Sequence, residues 1–360
     1  MPPGPVDLHG DATILTDASR TLLVATDGQA VLRSHDDGAT WRRLKVDQDL
    51  EFDDCVRCLL PDPRNPSAVF AGAETGLFRS EDCGATWHRI DCELNPYAVW
   101  KLVADQKNPN IMYAGTGSPS RAAFFRSRDA GQSWQKTSLE MPPKCAGVSR
   151  PRMLTIAIDP DDAHDVWVGV EEGGLFRTRD GGDSWERIDA TGPGRVRNSD
   201  VHSIAILRGP PKTVTVMVVN ALYTSTDDGK TWTEKNVREN WGIYYSRVLL
   251  AKPGSNTEMF MGIGDGTPGS TSIFLRSSDR GQSWVPAPFP VQPNSCLWAL
   301  GANAVDPNLI LAGTKYGDLY RSLDGGFSWR KEWREFSEIT DVTWLAAAPA
   351  TREADHHGPA

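Results

Sequence analysis

One octapeptide recurs seven times along this chain, and its spacing limits the folds the chain can adopt. STDDGKTW (225–232) has siblings SHDDGATW (34–41), SEDCGATW (80–87), SRDAGQSW (127–134), TRDGGDSW (178–185), SSDRGQSW (277–284) and SLDGGFSW (322–329). All share the form S/T-x-D-x-G-x-S/T-W, and their tryptophans lie 46, 47, 51, 47, 52 and 45 residues apart. A period of that length holds one unit of four short strands with their turns and is too long for a leucine-rich repeat.

Every unit reads in the same order. In the second, VRCLL (56–60) is followed by the turn PDPRNP, then AVFAGA (68–73), a tight ETG turn, LFRS (77–80), the box, and WHRI (87–90). Short apolar runs broken by Pro, Asn, Asp and Gly are strands of an antiparallel meander, labelled A to D from the inside outward. The box is then the C–D hairpin. The expected fold is all-β, a seven-bladed β-propeller of four-stranded antiparallel blades over residues 11–349. Residues 1–10 form an N-terminal arm, and 350–360 a polar, disordered tail. ITDVTWLAAAP (339–349) reads as a strand A with nothing after it, while LLVAT (22–26) and AVLRS (30–34) open the chain as B and C. Pairing the two ends closes the ring and leaves no open edge. The competing assignment makes DATILT (11–16) the first strand A.

The seven box aspartates, Asp36, Asp82, Asp129, Asp180, Asp227, Asp279 and Asp324, read as structural. The carboxylate is expected to accept from a backbone N–H two residues on, the Gly to supply positive φ, and the Trp to fill the gap between sheets. A calcium loop fails on ligand count, because Trp stands where further oxygen donors are needed. The six cysteines are too few for a disulfide framework. A lone Cys55-x-x-Cys58 has no second pair to complete a closed zinc site. No metal and no cofactor are expected.

The repeat resembles the Asp-box (BNR) family of β-propellers, which includes sialidases, xyloglucan-type endoglucanases, sortilin-type receptors and the photosystem II assembly factor. That resemblance implies the propeller fold. It does not choose a function, because enzymes and pure binding proteins share the repeat.

A net charge of −9 and a pI near 5.3 argue against a general binder of nucleic acid or anionic membrane, which needs a positive field. No run of eighteen apolar residues is present. The start of the sequence lacks the basic and apolar regions of a signal peptide, so a cytoplasmic protein is the expectation.

With the boxes on one face, the D–A connections and B–C turns surround the opposite mouth of the channel, where binding residues belong. Aligning the inner strands on Leu59, Leu102, Ile156, Ile204, Val248, Leu300 and Leu345 puts Arg57, Trp100, Lys101, His202, Arg247, Trp298 and Trp344 on the channel wall. Asp53, Asp54, Arg150, Arg152, Arg195, Arg197, Asp200, Tyr244, Tyr245, Asn294, Glu338 and Asp341 stand just upstream or beside them. The expected ligand-binding set is Arg57, Trp100, Lys101, Arg150, Arg152, Arg197, Tyr244, Arg247, Trp298 and Trp344. Catalytic candidates are Asp54, Asp200, His202, Tyr245 and Asp341. So many arginines around one mouth suggest a small anionic or polar ligand. The alternative has them braced by Asp53, Asp54, Asp200 and Asp341.

The first expectation is therefore a cytoplasmic propeller that binds a small anionic or polar ligand, with lyase or hydrolase chemistry open. The second is a glycoside hydrolase using two of Asp54, Asp200 and Asp341, or a tyrosine nucleophile. The resemblance weakens that one, because the sialidase Arg-Ile-Pro motif and the second propeller of xyloglucan-type enzymes are not seen. The third is a module that docks an acidic protein segment.

Overall fold

The computed structural model describes residues 20–43, 54–145, 147–188, 196 and 199–346. They form seven four-stranded antiparallel sheets arranged as blades. Blade 1 joins the two ends of the chain. Its inner strand is Ile339–Ala346, paired with Arg20–Thr26 in the register Leu22–Trp344, Leu23–Thr343 and Val24–Val342. The closure expected from the sequence is therefore the one observed, and DATILT lies outside the described residues, as do 1–10 and 350–360. Blades 2 to 7 begin with inner strands Val56–Pro61, Ala98–Ala104, Met153–Asp159, Val201–Leu207, Tyr245–Ala251 and Leu297–Asn303.

Strand B of each blade is buried on both faces, as in Met112–Gly117 and Met259–Gly264. These strands read as nearly unbroken apolar runs because a neighbouring sheet covers each side. The outer strands are two exposed residues in most blades, such as His88–Arg89. Blade 5 has a longer one, Thr233–Asn236, followed by a single helical turn over Val237–Trp241.

Each inner strand carries a β-bulge near its start. The bulged residues are Arg57, Trp100, Leu154, His202, Arg247, Trp298 and Thr340, where the register steps by one. In five blades the residue after the bulge faces a strand-B glycine, as with Cys58 and Gly72 or Thr155 and Gly169. A Cβ on Gly169 would lie 2.4 Å from Val201 of the next blade. The missing side chain lets consecutive blades approach, and the bulge turns the mouth residues inward.

The bulge also corrects two alignments. The counterpart of Leu59 is Leu249, not Val248, in blade 6 and Val342, not Leu345, in blade 1, so the sequence alignment falls one residue short in the sixth inner strand and three residues too far along in the last. Trp344 is consequently not at the mouth. It is 1% exposed, sits among Leu309, Leu311 and Leu319 between blades 7 and 1, and its Nε1 donates to the Leu309 carbonyl.

The box is a turn in all seven blades. In blade 5 the Asp227 carboxylate accepts from Ser225 Oγ (2.8 Å), from Thr231 N (2.9 Å) and from Thr231 Oγ1 (2.5 Å). The backbone donor is thus four residues on, not two, because two successive left-handed residues, Asp228 and Gly229, tighten the hairpin. These bonds, led by the Thr231 hydroxyl, hold the Asp227 pKa down to about 2. Trp232 Nε1 donates to the Gly229 carbonyl, and its ring meets Trp167 of blade 4 edge-on at 6.0 Å. A Cβ on Gly229 would lie 2.5 Å from Trp167, at a φ of +83°. Gly229→Ala is expected to destabilise the protein by about 2–4 kcal/mol from backbone strain and overpacking. Urea denaturation checks this, and a loss under about 0.5 kcal/mol would show that the blade interface yields.

Candidate functional site

Three equivalent positions in each blade build the mouth opposite the boxes. One is the bulged residue, the second lies two residues before it, and the third is the first residue after strand B. In four blades a backbone bond pins the third to the second: Asp27 N to Glu338 O (2.9 Å), Glu74 N to Cys55 O (3.1 Å), Glu171 N to Arg152 O (2.9 Å) and Lys315 N to Cys296 O (3.0 Å). Side chains at these positions meet around the rim whatever their chemistry.

Here they form a series of ion pairs and cation–aromatic contacts around the rim. Arg57 pairs with Glu74 and lies 3.8 Å from Asp27. Its guanidinium stands over Trp100 at 4.4 Å, and that of Arg152 stands over the same ring at 5.2 Å. Arg152 pairs with Glu171. One carboxylate oxygen each of Glu171 and Asp200 and one ring nitrogen of His202 lie within 4.8 Å of one another. Arg247 stands over Trp298 at 3.9 Å, joined there by Lys315 at 4.6 Å. Lys315 pairs with Glu338, whose carbonyl accepts from Asp27 N.

Within this ring four cations, Arg57, Arg152, Arg247 and Lys315, meet five carboxylates: Asp27, Glu74, Glu171, Asp200 and Glu338. The rim therefore carries no excess of positive charge, and the long-range pull on an anion expected from the arginines is cancelled. Their bracing partners include Glu74, Glu171 and Asp27, which the sequence reading had not proposed. Arg152→Ala would leave Glu171, 15% exposed at its side chain, beside Asp200 without its cation. A loss of about 1–3 kcal/mol in thermal unfolding is expected, and an unchanged melting curve would exclude bracing.

The most enclosed chemistry is at His202. Its side chain is 1% exposed, Nε2 lies 3.3 Å from Asp200 Oδ1, and Nδ1 lies 2.6 Å from the Ser246 carbonyl. The Tyr245 ring packs beside it, 5.4 Å away. Burial alone would raise the Asp200 pKa, but the hydrogen bond and charge of His202, the Glu172 N–H and Arg247 outweigh it and hold the carboxyl below its ordinary value. Burial pushes the Tyr245 phenol up, which counts against an ionised nucleophile there.

Other expected site residues lie elsewhere. Both oxygens of Asp341 are committed to backbone, accepting from Leu59 N (2.9 Å) and Val342 N (2.9 Å). Thr155 and Ser203 accept from Ile204 N and Leu249 N in the next blade in the same way, so Asp341 is a stitch between blades. Burial raises its pKa, against the opposing pull of Lys101. Asp54 accepts from the next backbone N–H at 2.8 Å. Arg150 is exposed and donates to the Pro119 carbonyl. Tyr244 is 41% exposed beneath Arg238, outside the ring. Arg197, Arg195 and Asp53 lie outside the described residues. Burial pushes the Cys58 and Cys296 thiols up to about 12, which makes them inert.

Glu171, Glu74, Asp27 and Lys315 escaped the sequence reading because it compared only inner strands. Aligning the first residue after each strand B would have found them. A shallow cavity lined by Ala104, Asp105, Lys107, Asp159 and Arg208 opens at the other end of the inner strands, on the box face and away from this chemistry.

Seven four-stranded blades with an Asp box at each C–D hairpin make this chain a seven-bladed β-propeller whose repeat is similar to that of BNR-type propellers. Residues 29–137 match the Sortilin-Vps10 family, described as sortilin, neurotensin receptor 3. Among curated proteins the chain is similar to xyloglucanase Xgh74A of Acetivibrio thermocellus, 26% identical over 284 residues, covering 67% of this chain and 33% of that protein. It spans a third or less of the length of the curated relatives it matches. Among solved structures it resembles the GH74 enzyme of Niastella koreensis, with a TM-score of 0.60, 17% identity, and coverage of 77% of this chain and 45% of that one. It also resembles YCF48 bound to a D1 peptide, with a TM-score of 0.51, 20% identity, and coverage of 78% and 81%.

Proposed function

We propose that the chain is a glycoside-hydrolase-like propeller that takes a β-glucan of the xyloglucan class at its mouth. The observation that carries this reading is the Glu171–Asp200 carboxylate pair, with oxygens within 4.8 Å of each other on the rim. That spacing suits a retaining glycosidase, whose carboxyl groups lie about 5 Å apart. A rim without excess positive charge also fits a neutral polyol better than a strong anion, and the named relatives are xyloglucanases.

Asp200, held ionised, is the group placed to attack the anomeric carbon. Glu171 would protonate the departing glycosidic oxygen. As the C–O bond breaks, Asp200 takes the sugar as an ester, and Glu171 then removes a proton from the water that releases it. For Glu171 to reach the glycosidic oxygen, its contact with Arg152 has to loosen when substrate enters.

The test is incubation with xyloglucan and β-1,4-linked gluco-oligosaccharides, measuring new reducing ends and, by calorimetry, binding. Release of reducing ends that follows the carboxylate pair supports the reading. Neither turnover nor binding across that panel would remove it.

A second reading, docking of a protein segment in the mouth, is favoured by one feature. The rim cations Arg57, Arg152 and Lys315 already have carboxylate partners, an arrangement that suits a static recognition surface. Peptide capture without glycan binding would select it.

A further inference from the structure

We propose that Glu171, Asp200 and His202 form a binding site for one divalent transition ion of the zinc class, against the sequence-based expectation of no metal. Among the described residues these three offer one ligand atom each, all within 4.8 Å of one another. They come from two adjacent blades. Glu171 follows strand B of blade 4, and Asp200 and His202 open the inner strand of blade 5.

The independent observation is how His202 is held. Its side chain is 1% exposed, and Nδ1 lies 2.6 Å from the carbonyl of Ser246, a residue outside the cluster. A carbonyl only accepts, so Nδ1 carries the proton, and in the neutral ring the Nε2 lone pair points at Asp200. An acceptor nitrogen 3.3 Å from a carboxylate oxygen is repulsive, so this contact needs a positive charge: the second ring proton, which supplies the His202 hydrogen bond to Asp200 described above, or a metal ion that takes that proton's place. A backbone carbonyl that fixes the tautomer in this way is the usual outer support of a metal-bound histidine. Ligand atoms around a tetrahedral zinc sit about 3.3–3.6 Å apart. The His202–Asp200 pair already matches that spacing, and Glu171 lies within 4.8 Å of both.

One imidazole with two carboxylates suits zinc, iron, manganese or cobalt rather than calcium or magnesium, which prefer oxygen-only shells. Arg152 faces Glu171, and Arg247 acts on Asp200. The ion therefore competes with Arg152 for one glutamate oxygen while the other stays available. Three protein donors leave the fourth position for water or a ligand oxygen.

The ion would occupy both carboxylates of the proposed hydrolytic pair and so would switch that site off; this consequence rests on the hydrolytic reading, whereas ion binding does not. Chelator-treated protein titrated with Zn²⁺ alone is expected to bind one ion per chain by calorimetry. Co²⁺ is expected to give a spectrum with nitrogen and oxygen ligands and no thiolate charge-transfer band, which separates this site from the six cysteines. Glu171→Gln and Asp200→Asn, each checked for folding by circular dichroism, are expected to weaken binding at least about tenfold. Stoichiometric Zn²⁺ should suppress any glucan hydrolysis, and chelator should restore it.

Binding of less than one ion per chain, wild-type affinity in both variants, or a thiolate band would each overturn the site. Those results would leave His202 as an imidazolium paired with Asp200. If no glucan is hydrolysed, the hydrolytic reading fails while the titrations still decide the ion site.

Discussion

Arg177→Ala is expected to lower the unfolding free energy by about 3–5 kcal/mol, the range for breaking a buried ion pair by removing one partner. Arg177 is 1% exposed and joins two blades. From strand C of blade 4 its Nε donates to Asp165 Oδ1 at 2.7 Å, and its Nη2 to Asp228 Oδ1 in the blade 5 box at 2.7 Å. A third bond reaches the Asp228 carbonyl at 2.9 Å, and the guanidinium lies over Trp167 at 4.4 Å. Alanine removes all of this and leaves Asp165, 6% exposed, with only the more distant and half-exposed Arg179, 3.8 Å away, as a cation. The double change Arg177→Met with Asp165→Asn should recover much of the loss, because both charges then leave the interface together. Urea denaturation of the two variants measures this. An Arg177→Ala loss below about 1 kcal/mol would mean that water already solvates the pair.

Asp200→Asn and Glu171→Gln are each expected to lower the turnover of a β-glucan substrate at least about 100-fold, within the range for losing one acid, base or nucleophile. Both groups lie on the rim, so the folds should survive and substrate binding should change far less than turnover. The variants differ in pH response. Asp200 is held below its ordinary pKa in the folded state, so its contribution to stability is present above pH 4 and is lost as pH falls through the lower folded pKa. Asp200→Asn should therefore flatten the acid limb of the stability profile. Full activity in either variant would place the chemistry elsewhere on the mouth and weaken the glycoside reading.

The stretch STDDGKTW shows where the sequence is readable. The serine, the first aspartate, the glycine, the threonine and the tryptophan of the box all serve a local turn, and each partner lies within five residues. Periodicity exposes a local job repeated seven times. Asp228, the second aspartate, does something different. It reaches Arg177, 51 residues away. In blade 1 Asp37 has the same place and pairs with Arg321 of blade 7. Nothing at positions 225 to 232 announces that partner, because it belongs to the preceding blade.

The mouth was partly readable for the same reason. Arg57, Trp100, His202, Arg247 and Trp298 came from comparing inner strands, and the structure places all five at equivalent bulges. Trp344 and Asp341 were misplaced because a bulge adds one unpaired residue and the last strand was aligned through apolar residues alone. Glu171 stayed hidden because it belongs to a turn whose residues converge on the rim only when the blades are set side by side.

The sequence by itself determined the seven-fold repeat, the four-stranded unit and the structural role of the box, since these follow from short-range patterns. The tertiary structure decided which terminal strand closes the ring, which charges are neutralised, which tryptophans line the mouth and which carboxylates meet His202. Those outcomes depend on side chains brought together from different blades, and distance along the chain carries no information about such meetings until the ring is closed.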